Sequence, residues 1–226
     1  MAAPRNKFKE TLKKKKMQLG FWQSLASTST CEISAKIGFD WLLIDGEHAP
    51  NDIANIADLL RVIDPSDSQA VVRVVAGIPH IIKQVLDAGA QSILVPMVDT
   101  AEQAREMVRA VRYPPDGIRG AALVTRAAQY GNVENYAPTA NDEICLLVQA
   151  ESKTAIENLD EICAVEGVDG VFIGPFDLAA SMGFIHDPNN EVVQKTIEQA
   201  ILKIVSSGKA AGILMLDEIR AKKYID

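Results

Sequence analysis

Seven short apolar runs, the first six each followed by a segment of helical periodicity, constrain this chain more than any other feature. The runs lie at 20–25, 41–45, 70–75, 92–98, 144–150, 170–174 and 210–216, and the helix-like segments at 29–37, 52–63, 79–88, 100–111, 153–164 and 191–207. Such alternation is the mark of repeated βα units and a parallel sheet. Asn51 before Asp52, Thr100 with Glu102 close behind, and Pro79 at a first helical position supply helix starts. Gly38, Gly89, Gly167 and Gly208 supply helix ends.

An eighth strand would close a (β/α)8 TIM-type barrel. Seven are visible, and the sequence stops at Tyr224-Ile225-Asp226, inside what reads as the helix after strand seven. Open strand edges are costly. The expectation is therefore an α/β, TIM-type barrel whose eighth strand and C-terminal helix are lacking here, or one closed in an unusual way; a doubly wound open sheet is the alternative. No composition shift marks a boundary, so residues 1–226 read as one C-terminally incomplete domain.

Composition narrows the function. Lys and Arg number 23 against 30 Asp and Glu, a formal charge of −7, which argues against a nucleic-acid surface. The basic run Lys13–Lys16, with Lys7 and Lys9 upstream, reads as a solvated helical face. No stretch approaches the ~20 apolar residues of a membrane span, and the N-terminus lacks a signal-peptide core. Cys31, Cys145 and Cys163 are odd in number and without metal-ligand spacing, which suits reduced thiols in a cytoplasm.

In a parallel barrel, chemistry collects at the carboxyl ends of strands. The second run ends in Asp45, with Glu47 and His48 just beyond. The third carries Arg73 in its interior, where a lone guanidinium needs an anionic partner. The fifth ends in Gln149 and Glu151, which alternation points the same way. The sixth ends in Gly174-Pro175 and then Asp177. Each has a structural alternative: Asp45-Gly46 as a turn, Asp177 as the cap of a helix 178–182, Arg73 in a structural ion pair, His48 as an ordinary histidine. Their common placement at one end of the strands favours function.

Glu151 and Asp177 are hard oxygen donors suited to Mg²⁺ or Mn²⁺ with positions left for water and substrate. A cation chelated by an α-keto acid polarises its carbonyl and stabilises an enolate. Arg73 could hold the developing negative charge, and His48, oriented by a carboxylate such as Asp45, could move protons near neutral pH. Lys153 alone among the lysines stands near a strand end, so a Schiff-base mechanism is the enzymatic rival.

The runs Gly-Phe-Asp-Trp-Leu-Leu-Ile-Asp-Gly-Glu-His-Ala-Pro-Asn-Asp (38–52), Leu-Val-Pro-Met-Val (94–98), Arg-Tyr-Pro-Pro-Asp-Gly-Ile-Arg-Gly (112–120) and Glu-Gly-Val-Asp-Gly-Val-Phe-Ile-Gly-Pro-Phe-Asp-Leu (166–178) resemble the HpcH/HpaI aldolases. The resemblance runs from about Asn6 to the end and is nearest to the 4-hydroxy-2-oxoheptanedioate aldolases, with 2-dehydro-3-deoxyglucarate aldolases close behind. It implies a class II, metal-dependent pyruvate aldolase, using Mg²⁺, Mn²⁺ or Co²⁺, that cleaves a 4-hydroxy-2-oxo acid to pyruvate and an aldehyde. His48 would be the acid/base, with Asp45 beside it and Asp87 raising its basicity. Arg73 would stabilise the transition state, Glu151 and Asp177 would bind metal, and Gln149 would contact pyruvate. The amides of Phe176 and Asp177 after Gly174-Pro175 would grip the carboxylate, and Trp22 would wall the pocket. Family members form homohexamers from dimers that exchange C-terminal helices. Phe176 stands where the family has a small residue, and the eighth strand and exchanged helix are not in this sequence. A catalytically silent pyruvate-binding barrel is the non-enzymatic alternative.

Overall fold

The computed structural model describes residues 1–225. Its strands are β1 (Gly20–Gln23), β2 (Trp41–Asp45), β3 (Gln69–Arg73), β4 (Ser92–Val95), β5 (Cys145–Ala150), β6 (Gly170–Ile173) and β7 (Ala210–Ile213). They follow one another in chain order in a seven-stranded sheet, with parallel pairing from β1 to β4 and from β5 to β7. The fold class is α/β of the TIM type, and seven is the strand count among the described residues. The helices are α1 (Lys7–Lys13), α2 (Thr28–Lys36), α3 (Ile53–Ile63), α4 (Pro79–Asp87), α5 (Ala101–Val111), α6 (Tyr136–Glu143), α7 (Lys153–Glu157), α8 (Leu159–Cys163), α9 (Pro175–Ser181), α10 (Glu191–Ser206) and α11 (Glu218–Ile225). None of the described helices is long and apolar enough to cross a membrane.

The chain groups into two compact units, Met1–Val95 with Met107–Leu146, and Pro96–Glu106 with Leu147–Asp226. In the first, every residue of β2 and β4 is buried, as expected of strands covered on both faces, and the apolar stripe of α3 (Ile56, Leu59, Leu60, Ile63) packs inward. Asn6 caps α1 and ties the start of the chain to β4: its amide nitrogen donates to Ser92 Oγ and to the carbonyls of Gln91 and Glu143. In the second, β6 is wholly buried and α10 presents Val193, Ile197, Ala200 and Ile204 to the core. Cys31, Cys145 and Cys163 are all buried thiols outside any disulfide, and burial pushes the Cys31 thiol up to about 11.

The four expected C-cap glycines all have positive φ. Elsewhere the boundaries differ in ways that bear on chemistry. Arg73 is the last residue of β3 and not interior to it. The β4 run stops at Val95, because Pro96 and the left-handed Met97 (φ 55°) turn the chain. The single helix expected over 153–164 is two helices broken at Asn158, whose side-chain amide donates to Asp99 O at 2.9 Å. The helix after β6 begins at Pro175, which puts Asp177 in its first turn and not at its cap. Asp52, not Asn51, caps α3.

Candidate active site

In the first unit, parallel register sets Asp45 at the end of β2 directly across from Arg73 at the end of β3. Arg73 Nε donates to Asp45 Oδ1 at 2.9 Å and a terminal nitrogen donates to Oδ2 at 2.7 Å, a bidentate fork with both side chains almost fully buried. The other terminal nitrogen lies 3.0 Å from Glu47 Oε2, and the guanidinium carbon lies 5.9 Å from the ring centre of half-buried Trp22. Asp45 Oδ1 also accepts the backbone N–H groups of Glu47 and His48 at 3.0 and 3.3 Å. Burial alone would push the Asp45 carboxyl up, but the Arg73 hydrogen bonds and charge, with those two amides, outweigh it and hold the group below the usual carboxylate range.

The turn that follows depends on a missing side chain. Gly46 N donates to Arg73 O at 2.8 Å, and a Cβ on Gly46 would stand 2.7 Å from that oxygen. Asn51, buried, donates to the carbonyls of Gln23 and Asp45 at 3.0 and 2.8 Å and so closes the loop back onto β1 and β2. His48 is thereby held at the surface, its side chain 62% exposed, with Nε2 3.7 Å from Glu47 Oε2.

The carboxylate beside the imidazole is Glu47, not Asp45, because Arg73 and two backbone amides occupy Asp45. Asp87 is the last residue of α4, before the start of β4, whereas His48 follows the end of β2. Its partner is buried Arg119, whose guanidinium donates to Asp87 Oδ1 at 2.8 Å and lies 4.4 Å from the Tyr113 ring centre.

The second unit carries the other group. Gln149 and Glu151, at and just after the end of β5, are both nearly inaccessible to solvent. Glu151 Oε1 accepts the backbone N–H of Met97 at 2.8 Å, and Oε2 accepts from the side-chain amide of Gln149. Gln149 Oε1 is buried with no hydrogen-bond partner. Gly174 borders this carboxylate so closely that a Cβ there would stand 2.4 Å from Glu151 Oε2. After it come Pro175 and exposed Phe176 and Asp177. Among the described residues no three or more His, Cys, Asp or Glu side chains gather as a metal cluster. Lys153, at the start of α7, is exposed, which is the wrong environment for a Schiff-base lysine.

Asp45, Arg73 and His48 stand together in the first unit and Gln149 and Glu151 in the second, and two of their contacts carry little signal in the sequence. The Met97 amide carries no side-chain signal; a proline followed by a non-glycine turn residue was the only clue. Glu47 stands inside the 38–52 motif, and only the register that brings β3 against β2 gives it Arg73 as a neighbour.

Residues 18–224 match the HpcH/HpaI aldolase/citrate lyase family. A hydroxypyruvate/pyruvate aldolase of Roseovarius nubinhibens is 52% identical over 100% of this chain and 88% of its own length. A 2-keto-3-deoxy-L-rhamnonate aldolase of Klebsiella pneumoniae is 56% identical over 97% of this chain and 83% of its own. Neither is named a 4-hydroxy-2-oxoheptanedioate aldolase, the relationship expected from the motifs. Among solved structures, an HpcH/HpaI aldolase/citrate lyase family protein from Burkholderia cenocepacia superposes with a TM-score of 0.94 at 39% identity, covering 97% of this chain and 88% of that one. With the family matched over nearly the whole sequence and named aldolases at more than half identity, the chain belongs to the HpcH/HpaI aldolase/citrate lyase family and is a carbon–carbon lyase of the class II aldolase type.

Proposed function

We propose that this chain cleaves a 4-hydroxy-2-oxo acid to pyruvate and an aldehyde, and runs the reverse addition, with a divalent cation as cofactor. The observation that carries the reading is the buried Glu151 carboxylate, aimed by the Met97 and Gln149 N–H groups past a glycine that leaves it room. Glu151 and Asp177 make an all-oxygen donor pair of the kind Mg²⁺, Mn²⁺ or Co²⁺ accepts while keeping waters and substrate. When bound, the cation supplies Lewis-acid polarisation of the 2-oxo group.

The chain's own residues do the rest. His48 takes the proton of the 4-hydroxyl; the O–H electron pair becomes the aldehyde C=O, the C3–C4 bond breaks, and its electrons pass to the pyruvate enolate, which is then protonated at C3. Arg73 steadies that negative charge. Gln149 and the Phe176 and Asp177 amides hold the keto acid, and Trp22 packs against Arg73. A homo-oligomer in a cytoplasm completes the proposal, in keeping with three buried thiols outside any disulfide.

The relatives' names favour pyruvate or hydroxypyruvate as the keto acid and a 2-keto-3-deoxy sugar acid as the compound cleaved, in preference to 4-hydroxy-2-oxoheptanedioate. Deuterium exchange into the pyruvate methyl group tests the core of the reading, since it needs enolisation but no aldehyde. Exchange should vanish in chelator and return with Mg²⁺, Mn²⁺ or Co²⁺; exchange that persists in chelator rejects it. Binding of pyruvate without exchange would favour the silent barrel, and borohydride should trap no adduct. Retro-aldol rates on the two substrate classes then decide the acceptor.

A further inference from the structure

Glu47 has no role in the reaction as proposed above, yet its placement is the least ordinary in the first unit. One oxygen, Oε2, lies 3.0 Å from an Arg73 terminal nitrogen and 3.7 Å from Nε2 of His48, with the carboxylate only 15% exposed. The bidentate fork to Asp45 already neutralises Arg73. Glu47 is thus a second negative charge on one cation, so Asp45, Glu47 and Arg73 together carry a net negative charge. A guanidinium in that state is poorly set to receive an anionic keto acid, because one of the nitrogens it would offer faces a carboxylate.

We infer that Glu47 is a positioning residue that an incoming anion displaces. In the ligand-free protein its carboxylate lies against Arg73; when an anionic 2-oxo acid takes that guanidinium face, Oε2 is released to the imidazole it already borders, so that occupancy of the arginine aligns the base. Next to Glu47, Asp45 Oδ1 receives the His48 amide, and Arg73 contacts both carboxylates. Asp45 is tied by its fork and cannot make the move; Glu47 can, because a swing of about one ångström in a single side chain converts a charge contact into a hydrogen bond. The inference rests on the aldolase reading for its substrate but not for its geometry.

Glu47→Gln keeps the shape and removes the charge. Against the metal-loaded wild type, this variant should bind pyruvate ~5-fold more tightly or better, the effect of one unit charge at about 4 Å even in water. Turnover should fall by ~10-fold or more because the imidazole has lost its partner. A residue that merely supports the loop would raise KM and lower kcat together. Two NMR measurements on the imidazole of His48 accompany the kinetics: its pH titration should move in Glu47→Gln without any ligand, and saturating pyruvate should move the wild-type signal but leave that of the variant in place. A titration unchanged by the substitution, or weaker pyruvate binding in the variant, overturns the inference. Failure of the wild type to exchange the pyruvate methyl group would overturn the aldolase reading, and the ligand-free titration would then decide by itself whether Glu47 governs the imidazole. Should Glu47→Gln not fold, Glu47→Asp, too short to reach both partners, should uncouple the imidazole in the same titration.

Discussion

Arg73 and Asp45 illustrate how much a single buried pair can settle. Both are inside, both are charged, and each makes the other tolerable; truncating one leaves the other desolvated, which typically costs about 3–5 kcal/mol. Arg73→Met should therefore lower stability by that order in a denaturant titration, and the double variant Arg73→Met/Asp45→Asn should recover part of the loss, since the orphaned charge is gone. The same pair sets an acid limit. The folded state holds the Asp45 carboxyl below its ordinary value of about 3.9, so the unfolded chain takes up the proton first. Its contribution is present above that ordinary value and is lost as pH falls through the lower, folded one. Thermal melts between pH 6 and 2 should show this steepening below about 4 in the wild type, and less of it in Asp45→Asn.

At the scale of elements, β5 and the loop after β6 act as one device. Alternation along the strand aims Gln149 and Glu151 alike, and Gly174 leaves the carboxylate its space. Gly174→Ala would drive a methyl group into Glu151 Oε2, so metal affinity, read by calorimetry with Mn²⁺, should fall by ~10-fold or more while the helical circular dichroism stays. The strands and most helices were readable because burial on both faces leaves unbroken apolar runs and because glycine with positive φ closes helices. The partner of Arg73 was foreseeable as an acid, yet its identity came from register between β2 and β3. His48 stands three residues from Asp45, which takes its backbone amide, while its imidazole lies nearest Glu47, a contact that spacing alone does not single out. Asn158 gave no sign of breaking a helix, since the bond that holds it goes to the loop at Asp99. Residues 113–143, where the sequence offers little periodicity, hold a 3-10 turn at Arg126–Gly131 with Gln129 and Tyr130 in left-handed conformation, and α6.

For the whole molecule, cofactor binding is also a stability statement, because a cation that binds only the folded chain adds RT ln(1 + [L]/Kd). At about one hundred times Kd this is ~2.7 kcal/mol, which for a chain of this length corresponds to a melting shift of roughly 5–10 °C. Differential scanning with Mg²⁺ or Mn²⁺ against chelator should show it, and Glu151→Gln should abolish it. Sulfur offers a last consequence. With all three thiols buried and Cys31 held protonated far above neutrality, the native protein presents almost no thiolate to an electrophile. A single cysteine engineered onto the His48 loop could therefore carry a fluorophore or spin label without first stripping out the natural ones.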